Sequence, residues 1–329
     1  MKALVTGATG FIGSSLVKEL LARGYLVKVL VRSDSTRRNI DGLGVERAVG
    51  DLRDRETLDR ALKGCDVLFH VAAAYSFWTP NPKQIYETNV GGTEKLLSAA
   101  LERGVQKVVY TSTESTVGIP RNGGVGNEGL VSRADQLSGH YKKSKLEAEK
   151  VALRICMEGL PLVVVNPTTP MGPGDVRPTP TGQLIVDYLN RRMPAYVNTG
   201  LNLVDVRDVA VGHVLALERG RIGERYILGN RNLIFREILG MLEGISGIPA
   251  PRFRIPLWLA LGAGYLDEFI ARKAAGKPPR IPVAAVKTAR HFRHFDCSKA
   301  VKELGLPQTP VEEALKDAIR WFRENGYAS

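Results

Sequence analysis

The chain has 329 residues, 44% hydrophobic and 24% charged, an ordinary globular composition that excludes a disordered chain. Lys plus Arg total 46 against 34 for Asp plus Glu, a net charge of +12 that suits an anionic ligand or surface. Acidic residues are interspersed almost throughout, and the longest basic-rich stretch, Arg272 to Lys302, is no block, so nucleic acid is not an expected partner.

The N-terminal apolar run, Ala3 to Val5, is too short for a secretion signal, and no run reaches the roughly 20 apolar residues of a membrane span. Cys65, Cys156 and Cys297 are dispersed and suggest neither a disulfide framework nor a metal site. A cytoplasmic protein is expected. In chain order, buried parallel strands are predicted at Lys2–Thr6, Leu26–Arg32, Val45–Val49, Asp66–Ala73, Lys107–Thr113 and Pro161–Thr168. Helices at Gly13–Arg23, Arg55–Lys63, Pro82–Arg103 and Tyr141–Glu158 alternate with them. The Pro- and Gly-rich stretch Asn166 to Gly182 reads as a substrate loop. Helices follow at Asp205–Glu218, Phe235–Ile245, Pro256–Ala275 and Val311–Asn325, with a strand at Glu224–Leu228. The pattern predicts an α/β fold with a doubly wound parallel sheet and a smaller C-terminal substrate-binding lobe.

Between the first strand and first helix stands Thr6-Gly7-Ala8-Thr9-Gly10-Phe11-Ile12-Gly13. Gly7 permits a tight turn, Gly10 lets a pyrophosphate approach the backbone, and Gly13 lets the helix sit close to the sheet. Three spaced glycines are weak evidence alone. Strand before, helix after and a repeating βα pattern make them a Rossmann-type dinucleotide turn. Residues 1–170 then form the NAD(P)-binding core and 171–329 mainly the substrate lobe, with some segments returning to the core. The second strand ends in Arg32 rather than an acidic residue, with Arg37 and Arg38 downstream. A guanidinium there suits a 2′-phosphate, so NADP(H) is the preferred cofactor, with NAD(H) open. Asp51 and Leu52 flank the adenine side; Asp54 competes with Asp51 as the cap of the next helix.

Tyr141 and Lys145 lie at i and i+4, on one helix face. Such a pair is cheap in isolation. Here the fifth strand ends upstream in Tyr110-Thr111-Ser112-Thr113, presenting hydroxyls at the sheet edge where open α/β folds bind ligands. A phenol has a reference pKa of about 10, and a nearby ammonium stabilises the phenolate. Thr113 is the candidate to polarise a substrate oxygen and Tyr141 to exchange its proton.

These pieces, with Gly50-Asp51-Leu52, His70-Val71-Ala72-Ala73 and Asn89-Val90-Gly91-Gly92-Thr93, resemble the extended short-chain dehydrogenase/reductase superfamily. The resemblance covers most of the first 170 residues. It is strongest to the dihydroflavonol-4-reductase-like branch, especially the bacterial hopanoid-associated sugar epimerases. It implies a catalytic triad of Thr113, Tyr141 and Lys145, with Lys145 also reaching the nicotinamide ribose. It places Ala72 and Ala73 along the cofactor groove, Pro167 and Thr168 at the nicotinamide end, and Asn89 on the active-site side as a candidate substrate residue. Thr113 stands where many members carry Ser.

Tyr75, Phe77 and Trp78 form an aromatic loop after the fourth strand, able to wall an apolar pocket or fill the inter-lobe core. Met171 and Arg177 are candidates for another wall. Arg207, Arg290 and Arg293 suit either a substrate phosphate or surface salt bridges. The helix Pro256–Ala275 carries Trp258, Leu259, Leu261, Tyr265 and Phe269. Core packing is expected of it; a pocket lid or peripheral membrane contact beside Arg272 and Lys273 are the alternatives. A small-molecule substrate is expected, a homodimer is compatible, and no metal site is expected. Two reactions share these residues: NADP(H)-dependent reduction of a carbonyl, and sugar epimerisation or dehydration with internal return of the hydride. The Tyr141/Lys145 pair argues against a non-enzymatic cofactor sensor.

Overall fold

The apolar runs of the first half pair side by side as parallel strands. The computed structural model describes residues 1–120, 123–273 and 278–328. In chain order, β1 (Lys2–Thr6), β2 (Leu26–Val31), β3 (Glu46–Val49), β4 (Val67–His70), β5 (Lys107–Thr111) and β6 (Leu162–Pro167) enter one sheet. β7 (Thr169–Met171), β8 (Ala195–Tyr196) and β9 (Gly200–Asp205) leave it, and β10 (Arg225–Leu228) returns. The spatial order is β10-β6-β5-β4-β1-β2-β3, with every neighbour parallel. This is the expected Rossmann-type arrangement. Its strand order reverses between β1 and β4, so their carboxyl ends open the crevice where such sheets bind ligands.

Helices cover both faces. α1 (Phe11–Ala22), α2 (Arg55–Leu62), α3 (Pro82–Tyr86), α4 (Gly92–Glu102), α5 (His140–Met157), α6 (Pro180–Leu189) and α7 (Val206–Arg219) follow in turn. α1 and α7 bury Leu16, Leu20, Val209 and Val214 on one face. α2, α4 and α5 bury Leu58, Leu96, Leu97 and Ala152 on the other. β11 (Arg231–Ile234), β9 and β7 form a second sheet, and β12 (Phe253–Arg254) pairs with β8. α8 (Phe235–Ser246), α9 (Leu257–Lys273), α10 (Val283–Thr288) and α11 (Val311–Glu324) complete the chain. α6, α8 and α11 close a separate apolar core around Tyr188, Leu203, Leu239 and Phe322.

Several expectations are corrected. The stretch Pro82–Arg103 is not one regular helix: a π-turn at Glu87–Gly91 interrupts it and turns Asn89 inward. The strands over Asp66–Ala73 and Lys107–Thr113 end at His70 and Thr111, where the chain leaves the sheet to build the crevice. β3 is exposed rather than buried because it is the sheet edge. The loop read into Asn166–Gly182 contains β7 and the start of α6. The helix over Pro256–Ala275 is described to Lys273; Ala274 and Ala275 lie outside the described residues. It does not pack its aromatics on the core: only Ala260, Gly264 and Ala271 of α9 are buried. Among the described residues no helix is long and apolar enough to cross a membrane.

Two buried histidines tie the sheet to its surroundings. His70 Nδ1 lies 2.8 Å from Thr6 Oγ1 and its Nε2 2.9 Å from Thr93 Oγ1. His213 Nε2 lies 2.8 Å from Thr111 Oγ1, and its Nδ1 lies 2.7 Å from the Val209 carbonyl. Burial holds His70 down to about 3, helped by the Lys145 charge, and His213 down to about 4. The unfolded chain takes these protons at the ordinary histidine value near 6.5, so it binds more protons than the folded one below that pH. Stability therefore falls as pH drops from about 6.5 towards 4. Melting curves across this window should show a smaller loss for His213→Gln than for the parent chain. An identical slope in both would contradict the assignment.

Candidate active site

The turn from β1 to α1 owes its shape to glycines. Gly7 adopts φ +73°, and a Cβ there would lie 2.7 Å from the Ala72 nitrogen. A Cβ at Gly13 would lie 2.1 Å from the Gly7 carbonyl oxygen. Packing alone demands both. Gly10 differs: its Cβ would meet only the Gly7 carbonyl, at 3.3 Å, so the space a side chain would take there lies open. No side chain caps α1, which leaves the first-turn N–H groups of Phe11, Ile12 and Gly13 available to an anion. Thr9 lends its carbonyl to Asn39, whose amide also reaches the Gly174 carbonyl at 2.9 Å. These residues fit the pyrophosphate of a dinucleotide.

At the end of β2, Arg32 is exposed, with its Nε 3.4 Å from Asp34. Arg177 is not at a substrate wall: its guanidinium donates to Thr36 at 2.7 Å, because the segment after β7 crosses to the loop behind β2. Arg38 donates to Asn325 instead of facing that strand end. Asp51 accepts from the Arg53 backbone and guanidinium, which holds its carboxyl below the usual range. Asp54, not Asp51, caps α2. Leu52 is buried against Gly92, Ala72 lies flush on Gly7, and Ala73 is exposed.

Thr113, Tyr141 and Lys145 converge beyond β5. Lys145 is buried, and its Nζ donates to the Tyr110 hydroxyl at 2.9 Å and the Thr111 carbonyl at 2.8 Å. Burial pulls its ammonium down to about 7, against the opposing charge of Glu149. One of its three N–H donors remains for a ligand. Burial, then the neighbouring Glu114 carboxylate, push the Tyr141 phenol above its ordinary value, while the nearby Thr113 hydroxyl opposes them. The phenol is therefore protonated near neutrality.

The aromatic loop lies over this group. The Tyr75 ring is 4.5 Å from that of Tyr141 and 5.9 Å from that of Phe77. Phe77 and Trp78 line a cleft of about 1000 Å³ together with Leu137, His140, Tyr265 and Val283. The cleft touches none of the three catalytic candidates; Tyr75 lies between its wall and Tyr141. Asn89 is not a substrate wall. Its amide bonds the Ala74 backbone on both sides and Ser144 of α5, so it positions the loop against that helix. Met171 is likewise removed from the pocket, buried in the core of the lobe. Pro167 ends β6, and Thr168 is bonded to Asn202 at 2.9 Å.

Three residues were missed by sequence reasoning. Tyr110 belongs to the hydroxyl-bearing strand end, yet no spacing assigns it the hydrogen bond it accepts from Lys145 Nζ. Glu114 pairs with Arg293, 179 residues away, so no local spacing links them. Lys142 is buried, donates to Thr288 at 2.8 Å, and is brought down to about 8 by burial.

A chain with this sheet, this turn and this trio is a dinucleotide-dependent oxidoreductase or epimerase by architecture. The sequence model of the NAD dependent epimerase/dehydratase family matches residues 3–229, and the chain belongs to that family. Among its relatives is a Synechocystis protein with the provisional name dihydroflavonol 4-reductase, 46% identical over 98% of this chain and 95% of its own. Another is sterol demethylase protein B of Methylococcus capsulatus, 37% identical over 99% of both chains. The crystal structure of a nucleoside-diphosphate-sugar epimerase from Pseudomonas aeruginosa superposes with a TM-score of 0.82 at 28% identity, covering 100% of this chain and 99% of that one. The chain is an enzyme of the extended short-chain dehydrogenase/reductase type, similar to the reductase-like branch and dependent on a nicotinamide dinucleotide.

The glycine geometry separates two variants. Gly13→Ala should lower stability by about 1–3 kcal/mol, since a backbone oxygen occupies the new methyl's place. Gly10→Ala should cost much less stability but weaken dinucleotide binding about tenfold or more. Thermal melts with calorimetric titration check both. Equal effects on stability would contradict the split.

Proposed function

We propose that the enzyme is an NADP(H)-dependent oxidoreductase that reduces a carbonyl, or oxidises the matching alcohol, with Tyr141 as acid/base. The observation that carries the choice of reaction is the pairing of two of the three candidate phosphate-gripping arginines; the third, Arg290, is exposed. Arg207 is bound to Asp205 and Asp317, and Arg293 to Glu114, so neither is free to grip a sugar-nucleotide diphosphate. The aromatic loop and cleft suit an apolar substrate better. The lipid-related name of the Methylococcus relative points the same way.

The residues divide the work. The turn at Gly7, Gly10 and Gly13 holds the pyrophosphate on the first turn of α1. Arg32 takes the 2′-phosphate. The bound dinucleotide supplies the hydride. Thr113 hydrogen-bonds the substrate oxygen and Tyr141 gives it a proton. The free N–H of Lys145 holds the ribose, and its positive charge stabilises the phenolate that is left. The protonated phenol can give its proton to a carbonyl oxygen at the start of the cycle. A homodimer and peripheral membrane contact belong to the same reading. Epimerisation with internal hydride return is the second reading, supported by the Pseudomonas relative.

Tyr141→Phe should abolish turnover and leave cofactor affinity nearly unchanged; Lys145→Met should damage both. Retention of near-parental kcat by Tyr141→Phe would overturn the acid/base role. Titration of the free protein should show NADPH binding at least about tenfold tighter than NADH, reversed by Arg32→Asp. Equal or tighter NADH binding would sink the cofactor assignment. One NADPH should be consumed per product formed; conversion with no net absorbance change would decide for epimerisation.

A further inference from the structure

α9 is built the wrong way round for a core helix. At about 100° per residue, Ala260, Gly264 and Ala271 share the inner side and Trp258, Leu259, Tyr265, Leu266, Phe269 and Ile270 the outer. The inner, small residues are buried. The outer, large ones are exposed, Trp258 to 72% and Phe269 to 56%. An apolar stripe several residues wide on one helix is more than the scattered surface hydrophobics that need no explanation.

The charges around it are sorted. Arg272 and Lys273 are exposed in the last turn, and Arg280 is exposed in the segment that docks back on the helix. Lys273 Nζ sits 4.5 Å over the Phe269 ring, with its stem on the apolar face and its charge at the rim. The two acids of α9 are turned to the inner side. Asp267 accepts from the Ile281 backbone N–H at 2.7 Å and Glu268 from that of Val283 at 2.8 Å. The exposed face therefore offers large apolar groups bordered by cations, with its carboxylates withdrawn.

We infer that the outer face of α9 docks on a bilayer surface containing anionic lipid. An apolar centre with a cationic rim complements the acyl boundary and the headgroups together. A second copy of this chain fits less well, because the same face offers the cationic rim no exposed carboxylate, the two acids of α9 being bound to backbone N–H groups. The helix lies along the surface and does not cross it: its 17 residues span about 25 Å and include four charges. Tyr265, Ala271 and Arg272 of α9 also line the cleft that leads to Phe77 and Trp78. The docked face thus sets the mouth of the cleft at the lipid, and apolar substrate enters from there. This last step rests on the reductase reading; docking itself does not.

The test uses the full chain and sedimentation with vesicles of phosphatidylcholine, alone or mixed with phosphatidylglycerol. Binding to the mixed vesicles should exceed that to pure phosphatidylcholine by about tenfold or more and weaken with added salt. The double variant Trp258→Glu, Phe269→Glu should lose that binding about tenfold or more, while its melting temperature still rises on adding NADPH, which shows that it folds. With an apolar ketone supplied in the mixed vesicles, the variant should show a raised KM, and an unchanged kcat on a water-soluble ketone. Equal binding to both vesicle types, or binding unaltered in the folded double variant, overturns the inference. So does a dimer broken by the double variant in a chain that ignores vesicles. Vesicle binding by a protein that reduces no carbonyl would instead remove the reductase reading and leave docking intact.

Discussion

Lys145 holds its ammonium in the interior on two protein acceptors, the Tyr110 hydroxyl and the Thr111 carbonyl. A cation in that place is costly unless it is bonded, and the bonds it makes fix the end of β5 against α5. Tyr110 passes the constraint on: its ring lies 5.6 Å from that of His70, which is tied to Thr6 at the base of the glycine turn. Thr111 passes it the other way, through His213 to α7. The ammonium is thus the point where α5, the glycine turn and both faces of the sheet meet. Its depressed affinity for protons follows from the same burial.

The negative charge nearest this centre is also organised. Glu114 follows Thr113 directly and raises the Tyr141 phenol, yet it is itself bound by Arg293 from the far end of the chain. Glu149 is buried under α5, where it meets Arg225 of the returning strand β10 at 3.0 Å and accepts from Thr116 and Asn166. These paired charges lock the C-terminal half onto the core without placing a free carboxylate beside the reacting position. Arg225 and Arg293 thus carry paired charge into the core, while Arg272, Lys273 and Arg280 beside the proposed lipid-facing surface of α9 are exposed.

Much of the core was legible because its signals are local. Apolar runs of five or six residues marked the parallel strands, and the three glycines stood between a strand and a helix. Tyr141 and Lys145 sat one helical turn apart. What was not legible depends on distance in the chain. Asn89 looked like a pocket residue, but a π-turn spends its amide on Ala74 and Ser144. Met171 and Arg177 followed the sheet closely in sequence, yet one is captured by the lobe core and the other by Thr36. Tyr110 stands among the strand-end hydroxyls, but nothing in its spacing links it to Lys145. α9 has the composition of a core helix, and only its docking through Ala260, Gly264 and Ala271 reveals that the larger side chains face out.

The central claim is that a protonated Tyr141 completes a net reduction at this site. Its most direct test is transfer of label from NADPH carrying deuterium at the reactive ring carbon to an apolar ketone. The account predicts one deuterium at the new carbinol carbon for each molecule of NADPH oxidised, and none with Tyr141→Phe. Isomerised product without deuterium, formed while the reduced cofactor stays undepleted, would contradict it.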